Sequence, residues 1–229
     1  MSIWAISDLH LSFGREETRA RMPSRWSNHA ERIASEWRAV VRPDDLVLVP
    51  GDISSARNHR EVQPDLAWLD RLPGLKILSP GNHDTWWNRE AKVRPILRKS
   101  QRAIGGDAIL ERGAIFCGTR GASFLADEPE SVEVTREVTR LKHALQAAKG
   151  LRTSSEMPLY VLWHHPPFDD FGRAGPIVPM LEQYEVTACV YGHLHAESQW
   201  SLAVQGTING VRYHCVAADA VGFRPLRVG

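Results

Sequence analysis

Five short apolar runs in this chain end in the same way, on a cluster of aspartate, asparagine, histidine and glycine. Ser2-Ile3-Trp4-Ala5-Ile6 leads into Asp8-Leu9-His10, Leu46-Val47-Leu48-Val49 into Gly51-Asp52, and Leu75-Lys76-Ile77-Leu78 into Gly81-Asn82-His83-Asp84. Farther along, Leu159-Tyr160-Val161-Leu162-Trp163 leads into His164-His165-Pro166-Pro167, and the run from Val186 to Tyr191 into Gly192-His193-Leu194-His195. Short, nearly all-apolar runs are what strands buried on both faces require. Strands alternating with helical stretches predict a layered α/β domain. In such sheets ligands bind beyond the carboxyl ends of the strands, so the five clusters are expected to meet at one site.

The intervening segments carry helical spacing. Ala30, Ile33, Ala34, Trp37 and Val41 fall on one face of a helix predicted from Asn28 to Val41, with Asn28 and Glu31 as a capping box and Pro43 as the stop. Leu66, Leu69 and Leu72 mark a second helix, and Val93, Ile96 and Leu97 a third whose length Pro95 leaves open. Residues 108–118 read as two short strands joined around Glu111-Arg112-Gly113. A long helix is expected from Ser131 to Ala148, seamed by Val134, Val138, Leu141 and Leu145 and stopped by Gly150, and a short one near Ile177 to Tyr184. The tail from Gln199 to Val228 reads as antiparallel, with Asn209-Gly210 as a hairpin turn. Mixed strand directions imply two packed sheets with helices outside. No linker, charge block or repeat divides the 229 residues, so a single domain spanning 1–229 is expected.

Composition narrows the function. A net charge of +1 argues against a dedicated nucleic-acid binder, and the arginines at 15, 19, 21 and 25 are interrupted by Glu16 and Glu17, which suggests a solvated loop. Cys117, Cys189 and Cys215 lack CxxC spacing and sit in apolar or strand-like text, as buried small hydrophobes in a reducing cytoplasm would. The opening MSIWAISDLH has neither a basic leader nor a membrane-length apolar run, so a cytoplasmic location and no membrane association are expected.

The clusters supply imidazoles and hard oxygen donors without thiolates, a set suited to manganese, iron or zinc rather than to a structural zinc cage. Asp8/His10 and His193/His195 are each spaced to aim both side chains at one ion from extended backbone. Asp52, on a loop after glycine, could offer one oxygen to each of two ions. A pair of ions suits phosphoryl transfer, because it polarises both attacking and leaving oxygens.

The ordered set DxH, GD, GNHD, HxP and GHxH resembles the calcineurin-like metallophosphoesterase superfamily. The surrounding ISDLHLS, PGDIS, GNHDTWW, GTRG and VYGHLH are similar to a bacterial branch described as predicted phosphohydrolases. The resemblance implies a four-layer αββα sandwich with two mixed sheets. It also implies one metal on Asp8, His10, Asp52 and His195, and a second on Asp52, Asn82, His164 and His193. His83 is implied as the catalytic histidine that assists the leaving group, with Asp84 fixing its tautomer, while a metal-bound hydroxide attacks phosphorus. Asn82 could also face the substrate.

The expected activity is therefore hydrolysis of a phosphodiester, or of a phosphomonoester, with two divalent ions per chain. Manganese is the first choice, with iron and zinc as alternatives, and a small phosphate ester such as a nucleotide is the expected substrate. A DNA or RNA nuclease and a catalytically silent metal-binding scaffold are the alternatives. The missing basic excess weighs against the first, and the presence of Asp8, Asn82 and His83 against the second. Arg120, in GTRG, could clamp a phosphate oxygen or be an ordinary loop arginine. Trp86 and Trp87 could stack on a ligand at the rim, but packing beneath the loop is favoured. Asp169, Asp170 and Arg173 follow a ligand strand and could line the site, and the loop 12–27 could fold over it.

Overall fold

A computed structural model of the chain describes residues 1–15, 17, 23–88, 90–124 and 131–229. One sheet has five strands in the order β11-β1-β2-β3-β4. These are β1 Ile3–Ala5, β2 Leu46–Pro50, β3 Leu75–Ser79, β4 Gln101–Ala103 and β11 Leu226–Arg227. The other has six in the order β5-β6-β7-β8-β10-β9. Its strands are β5 Asp107–Glu111, β6 Ala114–Thr119, β7 Leu159–Trp163, β8 Ala188–Tyr191, β9 Gly206–Ile208 and β10 Val211–Cys215. Within the first sheet β1 to β4 run parallel and β11 antiparallel. Within the second, β6, β7, β8 and β10 run parallel, flanked by antiparallel β5 and β9.

Strand alternation explains the layering. Leu46 and Leu48 on β2 point inward with Ala5, Ile77, Phe116, Leu162 and Val190 to fill the space between the sheets. Val47 and Val49, one residue out of phase, pack outward with Ile33, Trp37, Leu66 and Leu69. The last four belong to α1, His29–Val40, and α2, Gln63–Asp70. On the far side, Cys117, Val161 and Cys189 pack against Leu141, Leu145 and Leu181. These lie on α4, Val132–Leu151, and α5, Val178–Gln183. The result is helix, sheet, sheet, helix. Burying each large apolar side chain contributes about 1.5–3 kcal/mol, so the alternating register is strongly selected.

The helices begin and end for local reasons. Ser131 caps α4 by accepting from the Val134 N–H at 3.2 Å, and the helix continues one residue past Gly150. At α1 the expected capping box does not form: Asn28 has φ 52°, in the left-handed region, and its side chain makes no cap hydrogen bond. An N-cap needs an extended backbone to turn its side chain onto the first free N–H groups. Pro95 confines the third helical segment to α3, Glu90–Val93, followed by one 3₁₀ turn at Arg94–Ile96. The tail is only partly antiparallel: β9 and β10 form the hairpin over Asn209-Gly210, but β10 lies parallel to β8. A further short helix, α6, spans Glu197–Trp200. All three cysteines are free and buried. Among the described residues no helix is long and apolar enough to cross a membrane.

Candidate metal centre

Five of the parallel strands, β1, β2, β3, β7 and β8, deliver the five motif clusters to one end of the sandwich. Backbone hydrogen bonds stitch the loops that follow. The Asp8 N–H donates to Gly51 O at 3.0 Å, the His10 N–H to Asp52 O at 2.9 Å, and the Gly192 N–H to His164 O at 2.9 Å. Asp8, His10, Asp52 and His193 all adopt positive φ, at 56°, 41°, 51° and 71°. Non-glycine residues rarely hold this conformation without compensation, and four of them at one site mark a strained, functional arrangement. Two motif glycines are explained by close approach. A Cβ on Gly81 would stand 2.1 Å from Asp52 Oδ1, and one on Gly192 would stand 2.1 Å from Asp8 Oδ2.

The ligand atoms of Asp8, His10, Asp52 and His195 lie within 4.8 Å of one another. His195 Nε2 is 3.3 Å from both His10 Nε2 and Asp8 Oδ1. On the other side of its ring, Nδ1 is 3.1 Å from Asp219 Oδ1, so that N–H donates to the carboxylate and leaves Nε2 with a lone pair turned inward. A second group gathers on Asn82. Its Oδ1 is 2.8 Å from His164 Nε2 and 3.0 Å from His193 Nδ1. His164 Nδ1 donates to Pro50 O at 2.9 Å, so its Nε2, too, faces the site. Between the groups sits Asp52, 1% exposed, with Oδ1 accepting from the His83 N–H at 2.8 Å. Its Oδ2 is buried without a hydrogen-bond partner, 3.7 Å from His10 Nε2 and 3.5 Å from His164 Nε2. The seven residues expected as ligands are thus brought together.

Electrostatics show which charge the cluster favours. Burial raises the cost of charge on Asp52, but His164 and His10 outweigh it and hold the carboxyl well below its usual range. Asp8 is likewise lowered, burial being overcome by His164 and by the bond from His195. Against the effect of burial, Asp52 pushes His164 up to about 9, and Asp219 and Asp8 push His195 up to about 10. His10 goes the other way, to about 4, because burial dominates its neighbouring carboxylates. Carboxylates held ionised and imidazoles drawn toward their protonated forms both mark a site that favours positive charge. A divalent cation fits that demand, and imidazole, carboxylate and amide donors suit a manganese-, iron- or zinc-like ion.

Other expected roles fare differently. His83 is 64% exposed, with Nε2 4.0 Å from Asp52 Oδ2, and stands at the mouth of the cluster. Asp84 does not contact the His83 ring, which corrects the expected tautomer-fixing pair. Its Oδ1 accepts from the N–H groups of Ile53 and Ser54, both at 3.0 Å, and from Trp86 Nε1 at 2.9 Å. Its Oδ2 accepts from the Gly81 N–H at 2.9 Å. Asp84 therefore fastens the loop after β2 to the loop after β3. Burial, with the Asp52 charge, pushes its carboxyl up to about 7.

Arg120 is ion-paired to Glu133 of α4, as a loop arginine would be. Trp86 and Trp87 are buried and pack on each other at 5.2 Å, which excludes base stacking at the rim. Asp169 is occupied by Arg173 at 2.6 Å within its own loop. Arg19 and Arg21 lie outside the described residues, but Arg25 is no merely solvated side chain: its guanidinium reaches His195 O at 2.5 Å. Trp26 packs edge-on against His10 and His195, with ring centroids 5.5 and 5.6 Å away.

A two-sheet sandwich with clustered histidines, carboxylates and an asparagine at its strand ends defines a metal-site phosphatase-type protein. The calcineurin-like phosphoesterase model matches residues 1–197, and the chain belongs to that family. It is similar to the Gene 66 proteins of Mycobacterium phage L5, at 36% identity over 81 residues, and of phage D29, at 34% over 83. Those alignments take in 35% and 36% of this chain and span 39% and 40% of the length of the phage proteins. Among solved structures, phosphopantetheinyl hydrolase from Mycobacterium tuberculosis has the same fold at 18% identity and a TM-score of 0.53, over 99% of this chain and 95% of that one.

Proposed function

We propose that the chain hydrolyses phosphate esters using two divalent ions. One would be held by Asp8, His10, Asp52 and His195 and the other by Asp52, Asn82, His164 and His193. The observation that carries this reading is the Asp52 carboxylate. An oxygen without a hydrogen-bond partner in a 1% exposed side chain, between two groups of inward-facing donors and with only imidazoles near it, is where cations would complete the carboxylate's surroundings. Manganese is the first choice, with iron and zinc as alternatives. Such ions supply Lewis acidity toward water and phosphoryl oxygen at neutral pH.

The chain's own residues supply position and a proton. His164 and His195 are locked by hydrogen bonds on their outer nitrogens, so their inner nitrogens stay fixed. His83, exposed and with Nε2 4.0 Å from Asp52 Oδ2, would meet an incoming ester and protonate its leaving oxygen. That assistance matters most for poor alkoxide leaving groups, which favours a phosphodiester over a monoester. A small ester such as a nucleotide is the proposed substrate. The test is hydrolysis of nitrophenyl mono- and diesters before and after exhaustive chelation. Activity abolished by chelation and restored by manganese is expected, and activity that survives metal removal would overturn the reading.

A further inference from the structure

We propose that Asp219 is the positioning residue that makes His195 a metal ligand, with Arg25 fixing the pair from outside. The inference rests on the reading above of a cation among Asp8, His10, Asp52 and His195. Asp219 lies beyond the segment 1–197 that matches the family.

Both Asp219 oxygens lie close to His195 Nδ1, at 3.1 and 3.3 Å, and the Asp219 side chain is 2% exposed. A carboxylate can only accept, so Nδ1 carries the hydrogen and Nε2 is left to turn a lone pair toward the site. Nε2 is the atom 3.3 Å from Asp8 Oδ1. Arg25 holds the arrangement at two further points, donating to His195 O and standing with Nε 3.7 Å from Asp219 Oδ2.

Asp219 is where it is because of topology. It follows β10, a strand parallel to β8, and its loop is tied to that of Asp8 by a bridge between Ser7 and Ala217 and by the Ala218 N–H donating to Ser7 O at 3.1 Å. A carboxylate behind a ligating histidine orients the ring and raises its basicity. Losing one weakens metal binding roughly 10–100-fold.

The experiment is calorimetric titration of metal-free protein with Mn²⁺ alone, on the parent, Asp219→Ala, Asp219→Asn, His195→Ala and the double variant Asp219→Ala/His195→Ala. Two ions per chain are expected in the parent. In Asp219→Ala one site should weaken about 10–100-fold while the other is unchanged. In Asp219→Asn, which keeps one acceptor oxygen without charge, the loss should be smaller. With His195 already removed, Asp219→Ala should cost nothing further, a result that a merely structural role would not give. Should Asp219→Ala fail to fold, Asp219→Asn carries the same comparison, in both backgrounds. Two ions bound with parental affinity in the Asp219 variants, or an equal loss with and without His195, would overturn this inference alone. A parent that takes up neither manganese nor, titrated in the same way, iron or zinc would overturn the two-ion reading along with it.

Discussion

Replacing Asp84 with asparagine separates two accounts of that residue. If it served His83, the variant would fold normally and lose turnover. The structure instead makes it the clasp between the loops that carry Asp52 and Asn82. Asparagine keeps the oxygen that faces Ile53, Ser54 and Trp86 but turns an NH₂ toward the Gly81 N–H, or the reverse. At least one bond to a charged acceptor is lost, at about 1.5–3 kcal/mol, and a donor is left facing a donor, at about 1–3 kcal/mol more. Burial already lifts this carboxyl to about 7, so part of its charge is costly in the parent and the lower half of that range applies. A loss of about 3 kcal/mol is expected, which for a chain of this size lowers Tm by roughly 6–12 °C. Urea unfolding at pH 8 and calorimetric uptake of manganese measure both consequences, with His83→Asn as the control that should change neither. An Asp84→Asn protein that unfolds with the parent, binds metal like the parent and loses only turnover would refute the reasoning.

Three further outcomes are expected. His83→Asn should lower kcat about a hundredfold, in line with loss of a general acid, while manganese uptake stays at the parental level; equal rates would remove His83 from the chemistry. Gly192→Ala, whose Cβ would stand 2.1 Å from Asp8 Oδ2, should fold but bind manganese roughly tenfold or more weakly, as read by calorimetry. Lys76, wholly buried on β3 with its ammonium on Leu72 O and Ser100 Oγ, has its pKa lowered by burial from 10.5 to about 8. Between those values the unfolded chain holds a proton the folded one has released, so the Lys76 contribution to stability should rise from pH 8 toward 10.5, against the opposite contribution of the buried thiols Cys117, Cys189 and Cys215, which burial pushes up. The gain is roughly 3 kcal/mol, and Lys76→Met should lack it; denaturant midpoints at pH 7.5 and 10 that shift in parallel would contradict this.

The sequence made the strand ends legible because each candidate ligand follows a nearly all-apolar run, and those runs are β1, β2, β3, β7 and β8. What it hid has physical causes. Gln101–Ala103 forms β4 from only three residues, one of them an arginine, and its place comes from pairing with β3 rather than from its own pattern. The hairpin signal at Asn209-Gly210 made the whole tail look antiparallel, although β10 pairs parallel with β8. Asp219 was missed for that reason: it follows the end of a parallel strand, the same signal that exposed the candidate ligands, but the strand's direction is set by a distant partner. Asp84 shows the converse case. Adjacency to His83 suggested a pair, whereas the backbone turn sends the carboxylate back into the loop after β2.

The direct test of the account is anomalous scattering from crystals loaded with manganese. Two peaks are predicted, one among Asp8, His10, Asp52 and His195 and one among Asp52, Asn82, His164 and His193, with the Asp52 carboxylate reaching both. No peak at either position, or His10 and His195 turned apart with no ion between them, would contradict it.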